Sequence, residues 1–377
     1  MSQITWIEID LDNVAHNIRV IREKVGKDTK ILAVIKADAY GHGAVEISKT
    51  LVRNSVDMLG VAYLGEAIEL RENGINIPIL ILNPFLPEQV DDINKYSLEI
   101  TICNFNTARE LSKTAKRNHC NIKVHMEVDT GMGGAGVHPD KTLSFIKDLL
   151  LLENITLEGI FTHFHSSEVQ DKTHTHKQNK TFKTVLKQLE DEGIHVPLKH
   201  AANSAAILDM PNTYFNMIRP GLILYGIYPS CSVSKNIDIK PVMTFKTRII
   251  NLKILDPGNT VGYGRTFKVS KQTRVATIPV GYKDGFSRYF SNVGKVLVNR
   301  KLVPIMGRIC MDRCFIDVTN LTDINIGSEV TLFGSQKDKT ISIESAAVLI
   351  DTIPYEIVCN IGRKVPKIFK HELDQPK

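Results

Sequence analysis

Between residues 30 and 226, short apolar runs rich in β-branched residues alternate with longer stretches whose apolar residues recur at helical spacing. Stretches 44–53 and 181–192 show this spacing most clearly, each with a polar opposite face. Such alternation is typical of βα units around a parallel sheet, and eight units over about 200 residues predict a closed (β/α)8 TIM barrel. A doubly wound open sheet is the competing topology, but no GxGxxG follows the first run. The eight candidate strands are 31–35, 58–62, 79–82, 98–102, 122–128, 157–161, 196–198 and 222–225.

The pattern changes after about residue 229, where short strands separated by glycines replace the helical spacing. We therefore predict an α/β chain with the barrel over residues 1–235 and a C-terminal all-β domain over residues 236–377. Segment 4–11 is also strand-like and could pair with the β domain. The candidate strands of the second domain are 242–255, 275–280, 295–303, 314–318 and 329–333.

Composition excludes several classes of protein. The chain has 47 Lys and Arg against 41 Asp and Glu, and this charge of +6 is spread over 377 residues without a basic stripe, so we expect no nucleic-acid partner. No apolar run approaches the roughly 20 residues of a membrane span, and the first residues do not resemble a signal peptide. The six cysteines include no CxxC pair, so we expect reduced thiols in a cytoplasmic protein.

A lysine follows the first predicted strand directly, within the segment IKADAYGHG at 35–43. A barrel places its active site at this C-terminal edge of the strands. Burial there lowers a lysine pKa, and a neutral amine can form a Schiff base or accept a proton. The alternative is a surface lysine whose stem lies along the protein. The small residues around Lys36 favour the catalytic interpretation, because they let a ligand approach the backbone closely.

Seven other motifs occur along the chain: THF at 162–164, HAANS at 200–204, IRPG at 218–221, VGYGR at 261–265, PVGYKDG at 279–285, MGRICMD at 306–312 and PYE at 354–356. Together with the lysine segment they resemble the bacterial alanine racemases, and the similarity extends over nearly the whole chain. The resemblance implies a homodimeric enzyme that uses pyridoxal 5'-phosphate to interconvert L- and D-alanine and so supplies D-alanine for peptidoglycan.

The resemblance also implies roles for the residues of the barrel. Lys36 would bind the cofactor covalently, and Arg219 would face the pyridine nitrogen. Since a guanidinium does not give up its proton, that nitrogen would stay unprotonated, which restrains transamination and decarboxylation. His163 would lie behind the ring, while His200 and Asn203 would brace Arg219. The phosphate would be held by the neutral donors of Tyr40, Ser204, Gly221 and Tyr355.

Racemisation needs one base on each face of the substrate α-carbon. The resemblance assigns one face to Lys36 and the other to Tyr263 of the partner subunit. A tyrosine needs help to act as a base at neutral pH, and His163 and Arg219 in series could stabilise its phenolate. Three residues of the β domain would line the entrance and bind the substrate carboxylate: Tyr282, Met311 and Asp312.

The segment VHMEVDTGMGG at 124–134 departs from the family pattern. Typical members carry a carbamylated lysine at the place of Glu127 and an arginine at the place of Gly134. Loss of the arginine removes a carboxylate partner worth about 1–3 kcal/mol. A hypothesis follows in which Gly134 opens the pocket and Glu127 meets another protein cation or a basic substrate. The enzyme would then racemise a larger amino acid, such as serine, lysine, ornithine or arginine, instead of alanine.

Two other functions compete with racemisation. The segments HFH at 163–165 and HTH at 174–176 could belong to a metal-dependent hydrolase, but further ligands on late strands are missing and Arg219 stands where a metal site needs an acid. We therefore expect no metal. A non-catalytic pyridoxal-phosphate carrier would keep the lysine and the phosphate contacts. Such carriers resemble only the barrel half, so the VGYGR motif of the β domain favours catalysis.

Overall fold

A computed structural model describes residues 3–362 and 365–370 of the chain. Strands β2 to β9 are parallel and close into a barrel, because the first of them pairs with the last. Helices fill the connections, and this arrangement confirms the predicted TIM barrel. The strands of this half are β1 (Thr5–Asp10), β2 (Lys30–Val34), β3 (Met58–Val61), β4 (Ile79–Ile81), β5 (Glu99–Ile102), β6 (Ile122–Glu127), β7 (Ile155–Phe161), β8 (Leu198–His200) and β9 (Met217–Ile218).

The predicted strand at 222–225 is wrong. Leu222–Tyr225 is a 3-10 helix, and the eighth barrel strand is the two-residue β9. The Pro220-Gly221 pair ends β9, since proline cannot donate to the sheet and Gly221 turns the backbone. All four residues of the 3-10 helix are fully buried, and so short an apolar run has no periodicity that separates strand from helix.

The helices around the barrel pack apolar faces onto the strands. In α1 the buried residues recur at helical spacing, and the Asp10 carboxylate caps the helix by accepting from the Asn13 amide at 3.0 Å. The predicted helix at 44–53 coincides with α3. The helices of this half are α1 (Leu11–Val25), α2 (Lys36–Gly41), α3 (Ala44–Arg53), α4 (Leu64–Glu72), α5 (Val90–Lys95), α6 (Phe105–Arg117), α7 (Pro139–Leu150), α8 (Thr173–Asp191) and α9 (Ser204–Asp209).

The C-terminal half forms a large sheet in the order β11-β14-β17-β16-β15-β18-β10-β1-β20, with two short helices beside it. The N-terminal strand β1 lies in this sheet, antiparallel to β10 and parallel to β20. Its elements are β10 (Met243–Arg248), β11 (Asn251–Leu255), β12 (Thr260–Val261), β13 (Phe267–Lys268), β14 (Thr273–Ile278), β15 (Lys295–Val298), β16 (Lys301–Met306), β17 (Cys314–Asp317), β18 (Glu329–Gln336), β19 (Lys339–Ile341), α10 (Ile343–Leu349), α11 (Pro354–Ile361) and β20 (Lys367–Lys370).

Two of the runs predicted as single strands of the second domain each contain two strands, of which only β15 and β16 pair with each other as a hairpin. Run 242–255 divides into β10 and β11, and run 295–303 divides into β15 and β16. The second turn consists of Asn299 and Arg300, which both have positive φ, as a tight two-residue hairpin requires. One hydrophobic core nevertheless connects the sheet, through Ile7 and Phe245, with the barrel strands. In the described part of the chain, no helix combines the length and the apolar character that a bilayer crossing demands.

Candidate active site

A cavity of about 630 Å³ lies at the C-terminal ends of the barrel strands. Its walls combine apolar side chains, such as Leu82, Met132 and Phe161, with a few polar groups. Such a mixture is typical of sites for small molecules. Ten residues from the sequence analysis line this cavity: Lys36, Tyr40, Glu127, Gly134, His163, Asn203, Ser204, Arg219, Gly221 and Tyr355.

The segment after Lys36 has an unusual backbone. Ala37, Asp38, Ala39 and Tyr40 all lie in the left-handed region, with φ between 52° and 55° and ψ between 42° and 50°. For residues with a side chain this conformation costs roughly 1–2 kcal/mol each. The turn places both Lys36 and Tyr40 in the cavity wall, so the strained conformation positions two of the polar groups.

Contacts from two directions hold this left-handed turn. The Glu66 carboxylate accepts from the Ala37 amide at 2.6 Å and from the Ala62 amide at 2.7 Å, which links the turn to the end of β3. The Asp38 carboxylate accepts from the Ala44 amide at 2.7 Å and from Lys367 Nζ at 2.8 Å. Lys367 belongs to β20, so the C-terminal strand of the sheet braces the lysine turn of the barrel.

The electrostatic environment of Lys36 disfavours its charged form. Burial lowers the pKa of the amine; Glu66 acts in the opposite sense, and Arg219 lowers this pKa further. Desolvation and the nearby guanidinium therefore increase the fraction of neutral amine at neutral pH. A neutral amine is the form that can attack a carbonyl or take a proton.

Neutral donors converge at one end of the cavity. The Gly221 amide donates to Ser204 Oγ at 2.9 Å, and the rings of Tyr40 and Tyr355 lie 5.7 Å apart. A Cβ on Gly221 would lie 2.9 Å from Tyr40 Oη, so only glycine leaves this position open. Burial raises the pKa of Tyr355 to about 12 and that of Tyr40 further, which keeps both hydroxyls protonated as donors. This set suits a phosphate.

Arg219 is 4% exposed, and its guanidinium donates four hydrogen bonds to groups of the barrel. It donates to the carbonyls of Thr162 at 2.8 Å and Ala201 at 3.2 Å, and to Nδ1 of His163 at 3.2 Å and of His200 at 3.0 Å. Burial lowers the pKa of Arg219 to about 10, partly offset by Glu127. The group is therefore still charged at neutral pH.

A buried hydrogen-bonded chain continues from His200. Since His200 Nδ1 accepts from Arg219, its Nε2 carries the proton and donates to His125 Nδ1 at 2.9 Å. His125 Nε2 then donates to Glu99 Oε2 at 3.0 Å. Both rings are fully buried, and burial keeps the pKa of His200 well below its usual value. We call Arg219, His200, His125 and Glu99 the relay; it connects the cavity cation to a carboxylate on β5.

His163 and Asn203 also line the cavity, with different partners. Burial and the charges of Arg219 and Lys36 lower the pKa of His163 to about 3, so the ring is neutral and its Nε2 carries the proton. Asn203 differs from our expectation that it braces Arg219. Its Oδ1 accepts from Ser167 Oγ at 2.7 Å and from the Ala206 amide at 3.1 Å. Asn203 instead caps α9, which begins at Ser204.

Glu127 and Gly134 face the cavity on either side of the loop after β6. Asp129 Oδ1 shapes that loop by accepting from the amides of Gly131 and Gly133, both at 3.0 Å. Within residues 3–362 and 365–370, the Glu127 carboxylate makes no hydrogen bond or ion pair. Burial raises the pKa of Glu127, while Arg219 opposes this shift and Asp129 adds to it.

The remaining predicted residues lie outside this cavity, on the surface of the β domain. Tyr263, Tyr282 and Met311 are 71%, 45% and 57% exposed, and none of them lines the cavity of its own chain. The amides of Tyr282 and Lys283 donate to the carbonyls of Cys310 and Met311 at 3.2 and 3.0 Å, which joins the two turns. Asp312 pairs with Arg313 at 3.2 Å. One chain therefore contains the predicted site in two separate halves.

Sequence reasoning missed Glu99, His125, Glu66 and the Asp38–Lys367 pair. A signal existed for Glu99 and His125, since each is a polar residue next to apolar residues of a predicted strand. Gly159 on β7 gives a second hint, because a Cβ there would overlap the His125 ring. The described residues contain no group of three or more His, Cys, Asp or Glu that could hold a metal ion.

Comparison with known proteins identifies the family. The alanine racemase N-terminal domain matches residues 9–229, and the alanine racemase C-terminal domain matches residues 242–369. The chain belongs to the alanine racemase family. It is an amino-acid racemase, an isomerase, and the family depends on pyridoxal phosphate.

Three relatives illustrate the similarity. The alanine racemase of Halothermothrix orenii is 44% identical over 369 residues, which are 98% of this chain and 97% of that protein. The structure of the Clostridium difficile 630 alanine racemase has a TM-score of 0.93 and 39% identity, covering 98% of this chain and 96% of that chain. The Bartonella henselae enzyme, solved with covalently bound pyridoxal phosphate, has a TM-score of 0.88 and 27% identity, covering 98% of this chain and 100% of that chain.

The racemase cavity fits this cofactor on its own chemistry. A phosphate needs donors without a Cβ in the way, and Gly221, Ser204 and the two tyrosine hydroxyls provide them. An aldehyde needs an amine with a lowered pKa, which Lys36 provides. The same cavity holds a guanidinium with fixed hydrogen bonds, so a ring nitrogen facing it would accept a hydrogen bond and would stay unprotonated.

Proposed function

We propose that this racemase interconverts L- and D-alanine by a two-base mechanism, with Lys36 on one face of the substrate and Tyr263 of the partner subunit on the other. The observation that supports it most strongly is the cavity itself, where Lys36, with its lowered pKa, lies near the charge of Arg219. Pyridoxal phosphate, when bound, supplies the electron-accepting ring that makes the α-proton removable. The product would supply D-alanine for peptidoglycan.

Different residues of the cavity would bind different parts of the cofactor. Tyr40, Ser204, Gly221 and Tyr355 would bind the phosphate, and Lys36 the aldehyde carbon. Arg219 would face the ring nitrogen. His163 and Asn203 would pack beside the ring, both being part of the cavity wall. Because Arg219 keeps its proton, the nitrogen stays unprotonated and side reactions are restrained.

Two groups on opposite faces of the substrate α-carbon would remove and return the proton. Lys36, whose pKa is lowered by burial, would take or return the α-proton on its side of the substrate. His163 accepts from Arg219 at Nδ1 and therefore has an Nε2–H to offer. This donor would stabilise the phenolate of the partner's Tyr263, which lets a tyrosine act as a base near neutral pH.

A homodimer follows from the separation of the two halves. Tyr263, Tyr282 and Met311 are large exposed side chains on one subunit's β domain, and clusters of this kind mark interaction sites. We propose that they reach the partner's barrel, where Tyr282, Met311 and Asp312 line the entrance and bind the substrate carboxylate.

We also propose that the chain divides into a barrel domain of residues 1–235 and a β domain of residues 236–377; residues 371–377 lie outside the described part. A cytoplasmic location stays a prediction.

Circular dichroism of L-alanine incubated with purified holoenzyme tests the proposal. We expect the ellipticity to decay to zero with wild type, and Lys36→Ala to lower the rate by several orders of magnitude, because both covalent binding and one base are lost. Bound cofactor without any decay, on alanine or on other amino acids, would favour a non-catalytic carrier instead.

A further inference from the structure

Glu127 is a cavity residue that the two-base mechanism does not use. It ends β6, while Lys36 follows β2, and these strands lie four places apart in a barrel of eight. The two side chains therefore line opposite sides of the same cavity. A substrate that reacts at Lys36 has its α-carbon on one side of the mouth and the Glu127 carboxylate on the other.

The carboxylate of Glu127 has no partner of its own in the described part of the chain. Arg219 is the cation that acts on it, but the guanidinium donates to two carbonyls and two histidines. Asp129 adds repulsion. A half-buried carboxylate without a counterion is costly, so the arrangement favours a cation that arrives with the ligand.

Space is present in the cavity that this carboxylate lines. A Cβ built on Gly134 meets no atom within 4 Å, although Gly134 lines the cavity. The adjoining wall includes Leu82, Pro84, Met132 and Ala135, which have no charge. Apolar walls that lead to an unpaired carboxylate suit an aliphatic chain with a cationic end.

We propose that Glu127, with the open space at Gly134, forms a subsite for the side-chain cation of a basic amino acid, so that the enzyme racemises ornithine, lysine or arginine as well as alanine. The inference rests on the proposed racemase function. It assigns to Glu127 a specificity role, since Glu127 would bind the far end of the substrate and not the reacting atoms.

Matched substrates test the subsite. L-ornithine and L-lysine are compared with L-norvaline and L-norleucine, which have the same carbon chains without the terminal amine. With wild-type holoenzyme we expect kcat/KM to favour each basic amino acid over its analogue by about tenfold to a hundredfold, the range of a charge-assisted hydrogen bond. Equal kcat/KM within each pair would overturn the proposal.

Two variants locate the effect. Glu127→Gln keeps the shape and removes the charge, so it should abolish most of this preference while alanine turnover changes less than about threefold. Gly134→Arg adds a protein cation where the structure has room, and should suppress the preference in the same way. Glu190→Gln, an exposed carboxylate on α8, is the control that should change nothing. An equal fall for alanine and ornithine in Glu127→Gln would contradict the subsite.

A binding measurement separates this inference from the proposed function. The visible absorbance of the bound cofactor is titrated with ornithine and with norvaline, for wild type and for Glu127→Gln. Tighter binding of ornithine that depends on Glu127 supports the subsite even if no amino acid is racemised, an outcome that would overturn only the racemase proposal. Indistinguishable binding of the two amino acids would overturn the subsite even if alanine is racemised.

Discussion

The orientation of Arg219 depends partly on residues that do not line the cavity. Through the relay its guanidinium is connected to the Glu99 carboxylate, whose side chain is 7% exposed. Two histidines transmit the polarisation, because each accepts at Nδ1 and donates at Nε2. The negative end of the relay therefore stabilises the positive end, which faces the proposed position of the pyridine nitrogen.

Removal of the Glu99 charge should weaken catalysis without preventing folding. Glu99→Gln keeps an oxygen for His125 but ends the polarisation of the relay, so we expect kcat to fall about tenfold with KM little changed. The midpoint of the pH titration of the cofactor absorbance should move as well, since it depends on Arg219. Glu99→Asp should restore much of the activity.

The matched control for this variant is Glu158→Gln. Lys123 lies 3.9 Å from Glu99 and 3.4 Å from Glu158, so both variants remove one carboxylate near the same cation. Of these two carboxylates, Glu99 is the one that accepts a hydrogen bond from His125. If both variants lowered thermal stability equally and left kcat and the absorbance titration unchanged, Glu99 would have a purely structural role.

The difference between residues found and missed in the sequence has a physical cause. Lys36 directly follows a strand, where a barrel collects its chemistry, while Arg219 and Ser204 were found because their motifs resemble those of the family. Glu99 and His125 meet because neighbouring strands β5 and β6 are paired in one register. Strand pairing sets that meeting, and the spacing of the two residues in sequence does not reveal it.

Among the elements, the left-handed turn α2 depends most on its surroundings. His42 closes it by donating from Nδ1 to the carbonyls of Ala39 at 3.0 Å and Tyr40 at 2.9 Å, and its ring stacks on Tyr225 at 4.5 Å. Burial lowers the pKa of His42 to about 4, partly offset by these two carbonyls. The neutral ring is therefore part of the folded turn.

The lowered pKa of His42 predicts that the folded protein loses stability as the pH falls. The folded value of about 4 lies below the usual 6.5, so the unfolded chain binds the extra proton between these two pH values. The stability from neutral His42 is complete above pH 6.5 and falls by about 2–3 kcal/mol as the pH drops towards 4. His42→Asn keeps a donor but does not titrate, so its stability deficit at pH 7.5 should narrow at pH 4.5.

Urea unfolding of the holoenzyme, followed by far-UV circular dichroism at pH 7.5, 6.0 and 4.5, measures this deficit. His119→Asn replaces an exposed histidine and should run parallel to wild type at all three pH values. A His42→Asn deficit that stays constant down to pH 4.5 would show that His42 does not resist protonation in the folded protein.

The type of an element was predicted correctly where the apolar pattern extends over many residues, and wrongly where it covers only a few. Segment 44–53 shows helical spacing over ten residues and forms α3. Segment 222–225 is only four apolar residues, and tertiary burial made it a 3-10 helix. No residue preference foretells the turn at Ala37–Tyr40, because alanine, aspartate and tyrosine rarely adopt a left-handed backbone. Its cost is met by Asp38 within the turn, and by Glu66 and Lys367 from distant parts of the chain.

At the scale of the whole molecule, the sheet that contains β1 and β20 ties the N terminus, the lysine turn and the C-terminal strand together. Lys367 of β20 reaches Asp38, so the β domain braces the barrel of its own chain. Its exposed Tyr263 and Met311 do not line the active-site cavity of that chain. The same domain would then serve two barrels: it would brace one and complete the other, which makes dimerisation a condition for activity.

Heterodimers with separately tagged subunits decide whether the sites are shared. We expect Lys36→Ala and Tyr263→Phe homodimers to be nearly inactive. Their heterodimer should regain about half the wild-type activity per dimer, because one barrel with Lys36 meets the partner's intact Tyr263. The heterodimer of wild type with a Lys36→Ala/Tyr263→Phe subunit is the matched control and should be inactive, since every shared site then lacks one base. If each chain used its own Tyr263, the two results would be exchanged, and the proposal of shared sites would be wrong.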